Sequence, residues 1–129
     1  MNRGRHERQA SSARNTAFDV MRFVAERDAY ANLALAARIR EAQLTPQDAA
    51  FVTELVAGAL RHRLTYDRII ELASGRSTSN IDPPLLDILR LAVHQLHGMR
   101  TATHAAVHES VELARSRVGQ RATGFVNGV

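Results

Sequence analysis

The chain has 129 residues, 45% of them hydrophobic, which is enough for one ordinary domain with a single core. It has no cysteine, which excludes a disulfide framework, a thiolate zinc site and a cysteine nucleophile. Its net charge of +4 arises from 17 arginines, no lysine, and 13 acids.

The first fourteen residues hold Arg3, Arg5, Arg8 and Arg14 against Glu7, a local charge of +3, and the remainder is close to neutral. Residues 1–11 read as a basic, flexible arm, polar and without apolar periodicity. Ser11 or Ser12 then caps a first helix through its hydroxyl. Ala13, Ala17, Val20, Met21 and Val24 recur at helical spacing up to about Arg27. A second helix spans roughly Ala31 to Ala42, with Leu33, Ala36, Ala37 and Ile39/Arg40 straddling its inner face.

Thr45-Pro-Gln-Asp48 is the clearest start signal. It places a capping hydroxyl, a proline at the first helical position and an acid three residues past the cap. Phe51, Val52, Leu55, Val56, Ala59 and Leu60 follow as a broad apolar face. Gly58 inside it implies the close approach of another backbone. The chain turns near Arg61 to Leu64, with Thr65 as the next cap and Gly75 as a left-handed stop. Asp82-Pro-Pro84 opens a fifth helix, apolar enough to lie at the centre. A sixth runs from about Ala102 to Val118, and Gly124 to Val129 opens a seventh. Six or seven helices with short loops and no alternating strand pattern predict an all-α bundle. The opening of a last helix at the very end suggests a piece of something longer.

No stretch approaches the roughly eighteen apolar residues of a membrane span, and no secretion signal opens the chain. The reading is a cytoplasmic protein with no membrane partner. His104 and His108 stand four apart, and His94 and His97 three apart, a spacing that suits zinc on a helix. The His-Glu-x-x-His pattern of a metallohydrolase is missing, so ordinary histidines are the better account and no metal site is assigned. No glycine-rich phosphate loop and no nucleophile elbow occur. Catalysis by this chain alone is therefore not expected. What is left is the arginine arm. Guanidinium groups are permanent charges that fork onto phosphate oxygens and stack on bases. Arg3, Arg5, Arg8 and Arg14 are the candidate RNA-binding residues.

Five blocks together resemble the NusB family. They are Ala13-Arg-Asn-Thr-Ala-Phe-Asp-Val-Met21, Glu54-Leu-Val-Ala-Gly-Ala-Leu-Arg61 with Asp67, Asp82-Pro-Pro-Leu-Leu-Asp-Ile-Leu-Arg-Leu-Ala-Val-His-Gln-Leu96, His104 to Arg115, and Phe125 to Val129. Asp28 to Leu33 and the Asp-Pro-Pro block look more like the N-terminal domain of the Sun/Fmu ribosomal RNA cytosine-C5 methyltransferases than like free-standing NusB. The resemblance implies a NusB-like RNA-binding domain over residues 12–129, ahead of a catalytic domain that uses S-adenosylmethionine. Ribosomal RNA and that C-terminal methyltransferase domain are then the expected partners. The family's basic segment maps best onto Arg14. Ala102, where proline is expected, and His108, where asparagine is common, depart from the pattern. The rival readings are a stand-alone antitermination factor that binds RNA with a ribosomal protein, and a protein-interaction module without RNA affinity.

Overall fold

A computed structural model describes the backbone of residues 2–27 and 30–129, and side chains from residue 12 onward within those spans. Among the described residues every regular element is helical. The helices are α1 (Asn2–Arg27), α2 (Ala31–Ala42), α3 (Pro46–Arg61), α4 (Arg63–Ser74), α5 (Pro83–His97), α6 (Thr103–Arg117) and α7 (Ala122–Gly128), with a 3-10 turn at Thr78–Asn80. The all-α architecture read from composition and periodicity is the one observed.

The start signals act where hydroxyl and proline coincide. Thr45 Oγ1 accepts a hydrogen bond from the Asp48 backbone N–H at 3.1 Å, ahead of Pro46 at the first position of α3. Gly75 ends α4 at φ 72°, its N–H donating to the Glu71 carbonyl at 2.9 Å. Two starts differ from the sequence reading. The backbone of α1 is helical from Asn2, well before the Ser11–Ser12 cap. Residues 2–10 contain no proline and several good helix formers (Arg, Glu, Gln, Ala), so nothing forces a break there. The expected flexibility of residues 1–11 lies outside the described side chains. The α3–α4 turn is also tighter than expected. His62, not Thr65, is the cap, and the Tyr66 N–H already donates to the His62 carbonyl at 2.9 Å.

The chain divides into two compact units, residues 1–57 and 58–129. In the first, α1 packs on α2. Ala13, Ala17, Phe18, Val20 and Met21 are buried along one side of α1. The Arg38 guanidinium of α2 lies 5.2 Å from the centre of the Phe23 ring of α1, with Arg27 also over that ring at 5.5 Å. The inner face of α2 is offset from the expected one. Ala34 is buried, whereas Leu33 is exposed. Alanine and leucine surround this helix, so its apolar stripe is too broad to orient it from sequence.

In the second unit α5 packs against α4, α6 and α7. It buries Leu86, Ile88, Leu89 and Leu91, as its composition predicted, and also Asp87, His94 and Gln95. The polar groups have partners. Arg90 Nε and Nη2 donate to the two Asp67 oxygens of α4 at 2.7 and 2.9 Å, and Nη1 donates to Asp87 at 3.1 Å. Burial alone would lower the pKa of Arg90. The hydrogen bonds and charges of Asp67, then of Asp87, outweigh it and raise the pKa above its ordinary value. One turn later, His94 Nδ1 and Tyr66 Oη share a hydrogen bond at 2.8 Å.

The close approach that Gly58 permits comes from a side chain, not from a backbone. A Cβ placed on Gly58 would overlap the His94 ring. The same ring stands against Gly98. His94 is thus held between two glycines and a tyrosine hydroxyl. Gly58→Ala is expected to lower unfolding stability by about 1–3 kcal/mol, the usual cost of overpacking. Urea unfolding would measure it. Adding His94→Ala should make the two losses less than additive, since it removes the ring that the new methyl meets.

Candidate nucleic-acid interface

The sequence placed the candidate interface at the basic end of the chain. The backbone of Arg3, Arg5 and Arg8 lies in the first turns of α1, and their side chains lie outside the described residues. Arg14, one helical segment further on, is described. It is half-buried, and its guanidinium sits 5.2 Å from the centre of the Phe51 ring. Ala13, Thr16 and Ala17 beside it are buried. Arg14 therefore stands at the margin between the apolar side of α1 and its polar side. The ring contact helps to hold the planar group in place. Of the four arginines only Arg14 has a described side chain, so their meeting at one site lies outside the described residues.

The histidines take separate places. His94 is enclosed as described above, while His97, His104 and His108 are exposed. Among the described residues no group of three or more His, Asp or Glu side chains gathers to hold a metal ion. A pocket of about 330 Å³ opens between α4, α5, α6 and α7. Leu89, Val93, Leu96, Val107 and Val126 give it an apolar wall. Such a lining lacks the charged donors that a phosphate backbone needs.

One basic feature escaped the sequence reading. Arg61, His62 and Arg63 are exposed at the α3–α4 corner, and Arg68 and Arg76 are exposed further along. Treating residues 61–64 as a plain turn hid them. The regular spacing of Leu64, Arg68, Leu72 and Arg76 was the available signal.

The model of the NusB family matches residues 11–129. The chain belongs to the NusB family. It is 46% identical over 127 residues to a putative methyltransferase of Mycobacterium tuberculosis, covering 98% of this chain and 28% of that protein. A probable ribosomal RNA small subunit methyltransferase B of Synechocystis is 34% identical over 119 residues, covering 92% of this chain and 27% of that protein. The chain thus spans little more than a quarter of the length of these relatives. A crystal structure of the antitermination factors NusB and NusE in complex with dsRNA superposes with a TM-score of 0.85. Its sequence identity is 25%, and the match covers 94% of this chain and 92% of that one. Among the described residues no helix is long and apolar enough to cross a membrane.

The Arg14–Phe51 stack can be tested on its own. Arg14→Ala and Phe51→Leu are each expected to reduce stability by about 0.5–1 kcal/mol. The double variant should lose clearly less than the sum, because each change removes the same contact. Chemical denaturation of the four proteins reads this, and strictly additive losses would show that no stack operates.

Proposed function

We propose that this NusB-family chain is the RNA-binding domain of an S-adenosylmethionine-dependent ribosomal RNA cytosine-C5 methyltransferase. The observation that carries this reading is the pattern of similarity. A methyltransferase relative matches almost the whole chain at 46% identity, yet only 28% of its own length is used. The chemistry then belongs to the part of the longer protein that this chain does not contain. The residues present do not fit the cofactor, because the described elements are all helical and lack the glycine-rich strand-to-helix turn of a dinucleotide cradle. No catalytic step is assigned to this chain.

In this reading the domain holds ribosomal RNA, and its own methyltransferase domain is the second partner, in the cytoplasm. Arg3, Arg5, Arg8 and Arg14 supply the phosphate contacts. Two features support that choice. The segment carries most of the net charge of the protein. It also lies at the N-terminal end of α1, where unpaired backbone N–H groups add a partial positive charge. With few aromatics available for base stacking, charge and backbone shape dominate over base identity. A second reading, a stand-alone antitermination factor, is favoured by the likeness to NusB over nearly all of that chain. The length of the native protein on a denaturing gel separates the two: the methyltransferase reading requires a protein several times longer than 129 residues.

Binding of ribosomal RNA fragments, followed by fluorescence anisotropy across a salt series, tests the arginines. If four of them neutralise phosphates of a single strand, the slope of log affinity against log salt should change by about 3 when all four become alanine. An unchanged affinity and slope would remove the basic segment from the mechanism.

A further inference from the structure

The outer face of α4 carries two widely exposed leucines. Leu64, Arg68 and Leu72 stand four residues apart, so they line up along one side of the helix. Leu64 is 78% exposed and Leu72 is 69% exposed. The Arg68 side chain between them is 70% exposed. Tyr66 and Ile70, on the other side of α4, are buried. A single exposed leucine needs no explanation. Two on one stripe, in a unit whose apolar residues are otherwise well covered, mark a contact surface. Arg61 and Arg63 lie exposed at the start of the stripe, while Arg76, beyond the Gly75 stop, is exposed with its guanidinium over the Phe125 ring. Of the nearby acids, Asp67 directs both oxygens to Arg90. Glu71 accepts from the Thr78 N–H at 3.0 Å and stands 3.9 Å from Arg68. The stripe is therefore apolar and net positive.

We propose that this face docks a protein helix carrying leucine-type side chains flanked by carboxylates, a role beyond RNA binding. Charge complementarity selects that occupant. A polynucleotide would satisfy the arginines but leave Leu64 and Leu72 against a hydrated phosphate backbone. A second copy of this chain would set one Arg68 close to another, which like-charge repulsion opposes. An acidic amphipathic helix satisfies both halves of the pattern. One helix face is smaller than the roughly 800 Å² per partner of a stable interface, so the contact is weak and reversible in isolation.

Titration calorimetry with a synthetic helix that bears leucines on one face and glutamates beside them tests this. The control peptide carries lysine in place of glutamate. The acidic helix should bind and the basic one should not. Leu64→Ser with Leu72→Ser should weaken binding by about tenfold or more, and Arg68→Glu should shift the preference toward the basic peptide. These side chains are exposed, and circular dichroism of each variant checks that the helices persist. Equal binding of the two peptides, or variants that bind like the parent, would overturn the proposal. So would a ribosomal RNA fragment that displaces the acidic helix and loses affinity in the leucine variant, since the face would then belong to RNA. Self-association by light scattering that the same variant abolishes would assign the face to a second copy, and the proposal would fail.

Discussion

Packing α4 against α5 requires burial of polar groups, and the second unit is organised around that constraint. A guanidinium largely removed from water is costly unless its donors are filled. Arg90 meets this with a two-pronged pair to Asp67 and a third bond to Asp87 on its own helix. Removing one partner of such a pair generally costs about 3–5 kcal/mol when it is buried, because a charge is left stranded. His94 imposes a matching steric demand. Its ring is 2% exposed, it needs the Tyr66 hydroxyl, and it admits no side chain at Gly58 or Gly98. Both networks link the same two helices, so they fix the register of α4 on α5 more sharply than leucine packing alone would.

That division is consistent with the proposed use of one small chain as both a helical scaffold and an RNA-binding domain. The charges of α4 and α5 that are buried are spent internally. Most of the net charge of the chain lies in the first fourteen residues, and further exposed arginines line the outer side of α4. Arg14 is stacked on Phe51 within the first unit and lies close in sequence to the other three arginines proposed to meet RNA. A NusB-family domain used this way contributes affinity and placement, and the methyl transfer proposed for the longer protein proceeds elsewhere.

Much of the fold was legible because its signals are local. Thr45-Pro46, Asp82-Pro83-Pro84 and Gly75 mark helix ends by chemistry that acts within a few residues, and the structure puts helix ends at each. The α5 core was legible from its run of leucine and isoleucine. What could not be read depends on partners distant in sequence. His94 looked like one member of a spaced histidine pair, and its real neighbours, Tyr66 and Gly58, lie 28 and 36 positions away. Asp67 was visible as part of a family block, but its role came only with Arg90 on the next long helix. The face of α2 was misjudged because Ala34 and Leu33 are both plausible core residues on a helix rich in alanine. For the candidate site, the charge asymmetry of the first fourteen residues was plain, whereas the exposed arginine and leucine stripe on α4 required the tight turn at His62 to be known.

In the proposed function the N-terminal arginines, and not the helical core, meet RNA. Nuclear magnetic resonance of the nitrogen-labelled chain titrated with a ribosomal RNA fragment tests it most directly. Amide signals of residues 2–14 should move or broaden as RNA is added, while those of α5, locked by the Arg90 and His94 networks, should stay in place. Perturbations centred on α4 or α5 with residues 2–14 unmoved, or no perturbation at low salt, would contradict it.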